Sequence, residues 1–504
     1  MIKTAGFMAL ATLLAKACGL VRDSMIAGHF AAGMEADAFM TASKLPTMLF
    51  DIVIGGVISA SFIPIFAAVR EDGGEDEAKR FAGKFITLIL FTAAVIAALG
   101  MIFSNGLISL LAPGFTGEKH ELAARLSAIM FPMIIFTGLA FSFVGVLQSY
   151  GEFNIPSIIS LVSNLAIIAY FPLFSDKFGI TGLAYTMVVA WSLQVVVQVP
   201  SLIKLGFRFR PSLAFCDKNI KAALMLALPM LVSTWIQPLY SIINSRIASG
   251  INGAPATLEY ANRLYVVMTG VFSFVVTNLV FPKAAKANAR HDDEEAKKLI
   301  AVSLKTMFLI ILPLTVGVII LSKPITSVIY EHNKFSSENV RNVSLALSCY
   351  SIGMLGLAIN EVLSKYFFSM KNSRTPMRNS IISMFVNIGF AYALFSVLKT
   401  PGLALAAALG SICNSLLNAF SLRDKKLLDK SDFVTIFKIV ISSAVMALAV
   451  YAVYNLVGDL LYTDMLGKIA LLGICAAVGV VVYSVMSIIL KIDLVVGLFK
   501  RKAG

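Results

Sequence analysis

The sequence predicts an all-α polytopic membrane protein, and three observations predict it. Of the 504 residues, 58% are hydrophobic and 14% charged, against about 25% charged in an average soluble chain. Runs of about 20 apolar residues, the length that crosses a bilayer as a helix, recur along almost the whole chain. No apolar/polar alternation is long enough for a β-barrel, so the backbone must satisfy its hydrogen bonds within helices. The same numbers nearly rule out a water-soluble enzyme, because so few charges cannot coat a surface.

Apolar runs between polar punctuation predict about fourteen helices, at approximately 4–29, 36–69, 82–111, 122–149, 154–175, 180–204, 220–249, 255–282, 298–322, 339–370, 376–397, 402–422, 433–456 and 467–490. The first is read as a retained membrane helix, since Lys16 and Arg22 interrupt its apolar run and no small-residue cleavage site follows. Several exceed the minimum span, which predicts tilt or extension beyond the bilayer. Alternate loops differ sharply in charge. With the N-terminus inside, inner segments hold about 26 Lys and Arg, among them Arg70, Arg80, Lys204, Arg210, Lys286, Lys371, Arg378, Lys426, Lys430, Lys500, Arg501 and Lys502, and outer segments about 8, among them Lys119, Arg125 and Lys334. Both termini are therefore expected in the cytoplasm. The net charge of +14 is in this light a topological signal, and no nucleic-acid partner is expected. The chain is expected to be monomeric.

Five cysteines (Cys18, Cys216, Cys349, Cys413, Cys475) lie far apart with no CxxC spacing, so neither a disulfide framework nor a zinc site is indicated. The histidines His29, His120, His291 and His332 fall in or beside loops and read as solvated side chains. No cofactor or metal is expected.

An internal repeat is visible. Phe62-Ile63-Pro64-Ile65-Phe66-Ala67, followed by Glu77-Ala78-Lys79-Arg80-Phe81, returns without a gap in the second half as Val280-Phe281-Pro282-Lys283-Ala284-Ala285 and Glu295-Ala296-Lys297-Lys298-Leu299. Pro156 and Gly182 return at nearly the same offset as Pro376 and Gly402. About six helices separate the copies. An even number preserves orientation, so the halves are expected to be related by an axis along the membrane normal, as in transporters that rock between two states. This gives an N-lobe at 1–215 (helices 1–6), a C-lobe at 216–428 (helices 7–12), and helices 13 and 14 with a cytoplasmic tail at 429–504.

Eight basic residues remain inside helices: Lys16, Arg22, Lys44, Arg246, Arg263, Lys305, Lys365 and Lys438. The acids there are Asp23, Asp37, Asp51 and Glu361, with Glu259 near a helix end. A charge at the bilayer centre costs at least about 2.5–3.5 kcal/mol, so each should face a wet cavity or a partner. Lys305, Lys438 and Arg246 are near helix ends and are expected to snorkel. Glu361 stands four residues before Lys365, a helix-face pair. Arg22 can be neutralised by Asp23 or Asp37 and Lys44 by Asp51, whereas Lys16 and Arg263 have no obvious local acid. Uncompensated cations at membrane depth call for an anion. Phosphate or pyrophosphate fits, since arginine offers it a fork of donors and lysine a point charge.

At these residues the chain resembles a known family. Gly19-Leu20-Val21-Arg22-Asp23, Gly33-Met34-Glu35-Ala36-Asp37-Ala38-Phe39, Lys44-Leu45-Pro46 and Phe62-Ile63-Pro64 are similar to the N-terminal signature of the MurJ (MviN) lipid II flippases, in the multidrug/oligosaccharidyl-lipid/polysaccharide exporter superfamily. Tyr260-Ala261-Asn262-Arg263-Leu264 and Phe281-Pro282 resemble that family's eighth-helix segment. The resemblance spans essentially the whole chain. It implies two six-helix lobes in a V around a cationic cavity, with a groove from helices 13 and 14. It further implies alternating access that carries undecaprenyl-pyrophosphate-linked peptidoglycan precursor, a lipid-linked anionic glycan, across the bacterial cytoplasmic membrane for cell-wall biosynthesis. Carried over by motif, Lys16, Arg22 and Arg263, with Lys44, form the substrate-binding cations, and Asp23 and Asp37 the cavity acids or gate. The chain departs from the pattern at Phe50-Asp51 and Gly55-Gly56, where the family tends to carry a basic pair and Glu-Gly, and at Val266, where many members have glutamate.

Other readings compete. A flippase for another polyprenyl-pyrophosphate glycan would use the same cations. A cation-coupled multidrug exporter would want an acidic cavity and only twelve helices. A membrane enzyme would need an acid/base or nucleophile set, and no such constellation stands out. Coupling to membrane potential or to a monovalent cation is open, with Asn244 and Asn387 the candidate cation ligands.

Overall fold

The computed structural model describes residues 2–55, 58–213, 217–234, 236–290, 293–370, 372–425, 427–462 and 464–495. Gly56, Cys216, His291, Lys371, Lys426, Lys500, Arg501 and Lys502 lie outside the described residues. Every regular element among those described is helical: α1 (Ile2–Phe30), α2 (Met34–Phe50), two π-helical turns (Asp51–Gly55 and Ile58–Phe62), α3 (Ile63–Ile102), α4 (Ser104–Leu111), α5 (Gly117–Met130), α6 (Met133–Ser149), α7 (Asn154–Val196), α8 (Val199–Lys204), α9 (Lys218–Thr234), α10 (Ile236–Ala248), α11 (Ala254–Ala289), α12 (Asp293–Ile320), α13 (Ser322–Tyr330), α14 (Ser337–Ser351), α15 (Met354–Ser369), α16 (Arg374–Leu398), α17 (Thr400–Ser421), a 3-10 turn (Arg423–Lys425), α18 (Lys430–Leu461) and α19 (Met465–Ile489).

Eight stretches among the described residues are long and apolar enough to cross a membrane, and α14 with α15, bent by 41°, makes a ninth. The stretch Asn154–Lys204 holds two of the expected helices, divided where Gly179 takes φ 52°. The expected second helix is split between the 17 residues of α2 and the π-helical turns. Pro132, which has no N–H to donate to the preceding turn, sits where α5 gives way to α6.

Local features recur at the offsets read from the sequence. Gly179 (φ 52°, ψ −146°) reverses the chain within α7, and Lys399 (φ 56°, ψ −131°), its counterpart in the repeat, does so between α16 and α17. Phe103 and Leu321, which precede α4 and α13, share φ −96° and ψ 12°. Gln198 Nε2 donates to the Ala140 carbonyl at 3.2 Å, and Asn418 Nδ2 to Asn360 Oδ1 at 2.6 Å, with donor and acceptor displaced by one and the same interval. Glu152 accepts the Asn154 N–H at the start of α7, as Asn372 accepts the Thr375 N–H at the start of α16.

The chain divides into two compact units, Met1–Ala256 and Thr257–Gly504. In the first, α1 packs along α7, α2 against α5, and α3 against α6 and α9. The division follows α10, so α9 and α10 pack within this unit. Lys84 of α3 donates to Asp217 at 2.6 Å. That hydrogen bond, helped by the Asn219 N–H, holds the Asp217 carboxyl below its ordinary value against the opposing effect of burial.

In the second unit α16 lies along α17, and α15 packs on α17 and α12. The last two helices join it through an apolar cluster of Leu321, Met446, Val450, Leu471 and Cys475. Polar ties reinforce this at three places. Tyr483 donates to the Leu309 carbonyl at 2.7 Å, Lys468 pairs with Glu331 at 2.8 Å, and Lys305 pairs with Asp432 at 2.5 Å. Lys305 therefore does not simply snorkel; a carboxylate at the start of α18 meets it. Burial pushes the Glu331 carboxyl up, but hydrogen bonds from Lys468, Ser327 and Ser337 outweigh it and leave the group below its ordinary value.

Candidate functional site

The cations singled out by sequence lie on three helices, and the structure gives most of them a partner. On α1, Asp23 Oδ1 accepts from both Nε (2.9 Å) and Nη2 (2.7 Å) of Arg22. Nη1 donates to Asn164 Oδ1 of α7 at 2.9 Å. Asn164 in turn donates to the Ala15 carbonyl at 3.0 Å. Asp23 and Asn164 are 3% and 4% exposed, so neither could be accommodated at low cost without its hydrogen bonds. Lys16, half-buried, makes no hydrogen bond or ion pair among the described residues.

Asp37, at the start of α2, is fully buried, yet it does not neutralise Arg22. Its carboxylate accepts from Lys119 Nζ at 2.6 Å, the Gly253 N–H at 2.6 Å and the Ala256 N–H at 2.9 Å. The Ala256 amide is among the first N–H groups of α11, which no turn of that helix can satisfy, the Gly253 amide immediately precedes the helix, and the helix dipole also favours an anion there. Asp37 is thus an N-cap supplied from a distant part of the sequence. Lys119 is further held by Asn252 at 3.1 Å and lies 4.3 Å from the centre of the Phe115 ring. Gly253 is required at this turn: its φ is 79°, and a Cβ would come within 2.5 Å of the Ala32 carbonyl oxygen.

On α11, Arg263 Nη2 pairs with Glu259 Oε1, one turn earlier, at 3.2 Å. This corrects the expectation that Arg263 lacks a local acid. Lys44 is half-buried on α2, Asp51 is exposed at the first π-helical turn, Phe50 is buried and Val266 is exposed. At about 1.5 Å of rise per residue, Arg22, Lys44 and Arg263 each stand about 12–15 Å in from the helix ends at Phe30, Met34 and Ala254, and Lys16 about 21 Å in. Asn244 Oδ1 on α10 is buried without a hydrogen-bond partner among the described residues. Asn387 is buried on α16, in the other compact unit.

Sequence reading missed three of these groups. Lys119 reads as an outer-loop charge, and Asn164 is an isolated polar residue in an apolar helix with no pattern to mark it. Only the pairing of Glu259 with Arg263, at i,i+4, carries a spacing signal.

Solved structures share this fold. A lipid II flippase MurJ in an inward-closed conformation matches with TM-score 0.83 at 24% identity, covering 97% of this chain and 99% of that one. An inward-facing multidrug-resistance transporter of the MATE family matches with TM-score 0.70 at 16% identity, covering 83% and 99%. The fold is therefore that of these two solved structures. The family model described as lipid II flippase MurJ matches residues 26–490. A probable lipid II flippase MurJ of Rickettsia prowazekii is 28% identical over 96% of this chain and 97% of its own, and one of Rhizobium meliloti is 30% identical over 88% and 84%. The chain belongs to the lipid II flippase MurJ family, a family of transporters and not of enzymes, and is a multi-pass protein of the bacterial inner membrane.

Proposed function

We propose that this chain moves lipid II, the undecaprenyl-pyrophosphate-linked peptidoglycan precursor, from the inner to the outer leaflet by alternating access. In this reading fourteen helices form two six-helix lobes and a C-terminal pair, the lobes are related by an axis along the membrane normal, and both termini are cytoplasmic. The observation that carries the reading beyond family membership is the placement of the cations. Arg22, Lys44 and Arg263 stand similar distances in from the ends of α1, α2 and α11, where charges persist only beside a partner or a wet cavity.

Lys16, Arg22, Lys44 and Arg263 bind the pyrophosphate and its sugars. Asp23 and Glu259 keep the arginines in place when no substrate is bound. A pyrophosphate then competes with these carboxylates for the guanidinium forks, an exchange that lets the substrate leave as well as enter. Asp37 and Lys119 act as the outer latch: opening toward the outer leaflet separates the Asp37 carboxylate from the α11 amides.

The test replaces a conditionally expressed lipid II flippase with this chain. Growth is expected from the intact chain, and none from Arg22→Ala or Arg263→Ala present in the membrane at equal level. Failure of the intact, inserted chain would overturn the lipid II assignment.

A further inference from the structure

We propose that Asn164 is a positioning residue for anion binding: its carboxamide sets the plane of the Arg22 guanidinium, and affinity for a pyrophosphate depends on that hydrogen bond. The proposal rests on the reading that Arg22 binds the substrate's pyrophosphate.

Asp23 Oδ1 accepts from both Nε and Nη2 of Arg22. Two bonds that converge on one oxygen set the plane of a guanidinium less firmly than bonds to separated acceptors. Asn164 Oδ1 on Nη1 supplies a separated acceptor, and with the covalent attachment at Cδ the three points define the plane. The carboxamide has one workable orientation, because its amide must face the Ala15 carbonyl and its oxygen the guanidinium. No aspartate, leucine or serine can make both bonds with this shape. At 4% exposure the carboxamide is locked between α1 and α7.

The internal repeat separates this role from a scaffold role. The polar residues around Asn164 have polar counterparts at the offset that relates Pro156 to Pro376: Ser163 and Ser383, Gln194 and Asn414, Gln198 and Asn418. These also hydrogen-bond within their own halves, Gln194 to Ser163 and Ser383 to the Gly410 carbonyl. Asn164 instead corresponds to Met384, and at the offset that relates Pro64 to Pro282, Arg22 corresponds to Tyr240. What the fold needs is duplicated, whereas the Arg22–Asn164 pair occurs in one half only. A ligand site has that asymmetry.

The experiment measures binding of undecaprenyl pyrophosphate to the purified full chain in detergent, for Arg22→Ala, Asn164→Ala, the double variant and Ser163→Ala. Asn164→Ala is expected to weaken binding about tenfold, the order expected for a hydrogen bond to a charged group. The double variant should bind no more weakly than Arg22→Ala. Ser163→Ala, one residue away on the same helix, should lower the melting temperature and leave affinity unchanged. If Asn164→Ala does not fold, Asn164→Asp keeps the shape and sets a second carboxylate on Arg22, and binding should fall below that of the unaltered chain. Unchanged affinity in the Asn164 variants, or additive losses in the double variant, overturns the positioning role while leaving Arg22 assigned. Unchanged affinity in Arg22→Ala overturns that assignment, and this proposal with it.

Discussion

Lys119 supplies the ammonium that meets the fully buried Asp37 carboxylate, whose other two donors among the described residues are backbone amides. Removing one partner of a buried pair costs about 3–5 kcal/mol, because the remaining charge stays buried. Lys119→Met keeps the methylene stem and loses the charge. It should lower the unfolding free energy of the purified protein by an amount within that range, seen as a lower unfolding midpoint, and an unchanged midpoint would show that the amides suffice. At this scale the sequence revealed what lies close along the chain and concealed what lies far. Arg22 beside Asp23 is readable from adjacency, and Arg263 four residues after Glu259 carries a spacing signal that the expectation of no local acid overlooked. Asp37 with Lys119, and Arg22 with Asn164, join residues 82 and 142 positions apart, and no local periodicity records such contacts.

Helices were the most legible elements, because a bilayer leaves an apolar segment little alternative. Their breaks were less so. The π-helical turns after Phe50 fall where Asp51, Ser59 and Ser61 interrupt an otherwise apolar run, and hydropathy does not distinguish a π turn from an α turn. The reversal between α16 and α17 is an element-level strain. Lys399 holds φ 56° and ψ −131°, a conformation that a Cβ disfavours by about 1–2 kcal/mol, whereas the corresponding position in α7 is glycine. Lys399→Gly should therefore raise thermal stability, seen as a higher melting temperature in detergent, and Gly179→Ala should lower it. The opposite sign for Lys399→Gly would mean that this turn is set by contacts of the Lys399 side chain, and for Gly179→Ala that a Cβ is tolerated in the α7 turn.

For the molecule as a whole, the alternation of basic loops carries a topology that labelling can check. In a cysteine-free background, a cysteine at His120 should react in intact cells with a thiol reagent that cannot cross the membrane, and one at Lys430 only after permeabilisation. Labelling of position 430 from outside would refute the orientation. The bonds at Asp37 also bear on how the chain is made. Its partners are Lys119, 82 residues later, and the amides of Gly253 and Ala256, 216 and 219 residues later. A ribosome delivers them in that order, at about 5–20 residues per second. For many seconds the nascent Asp37 must remain hydrated, protonated or provisionally bonded while α3 to α10 enter the membrane. Closure of this contact is consequently a late event in biogenesis, and chains truncated before Asn252 should remain open at this corner and be the natural targets of membrane quality control.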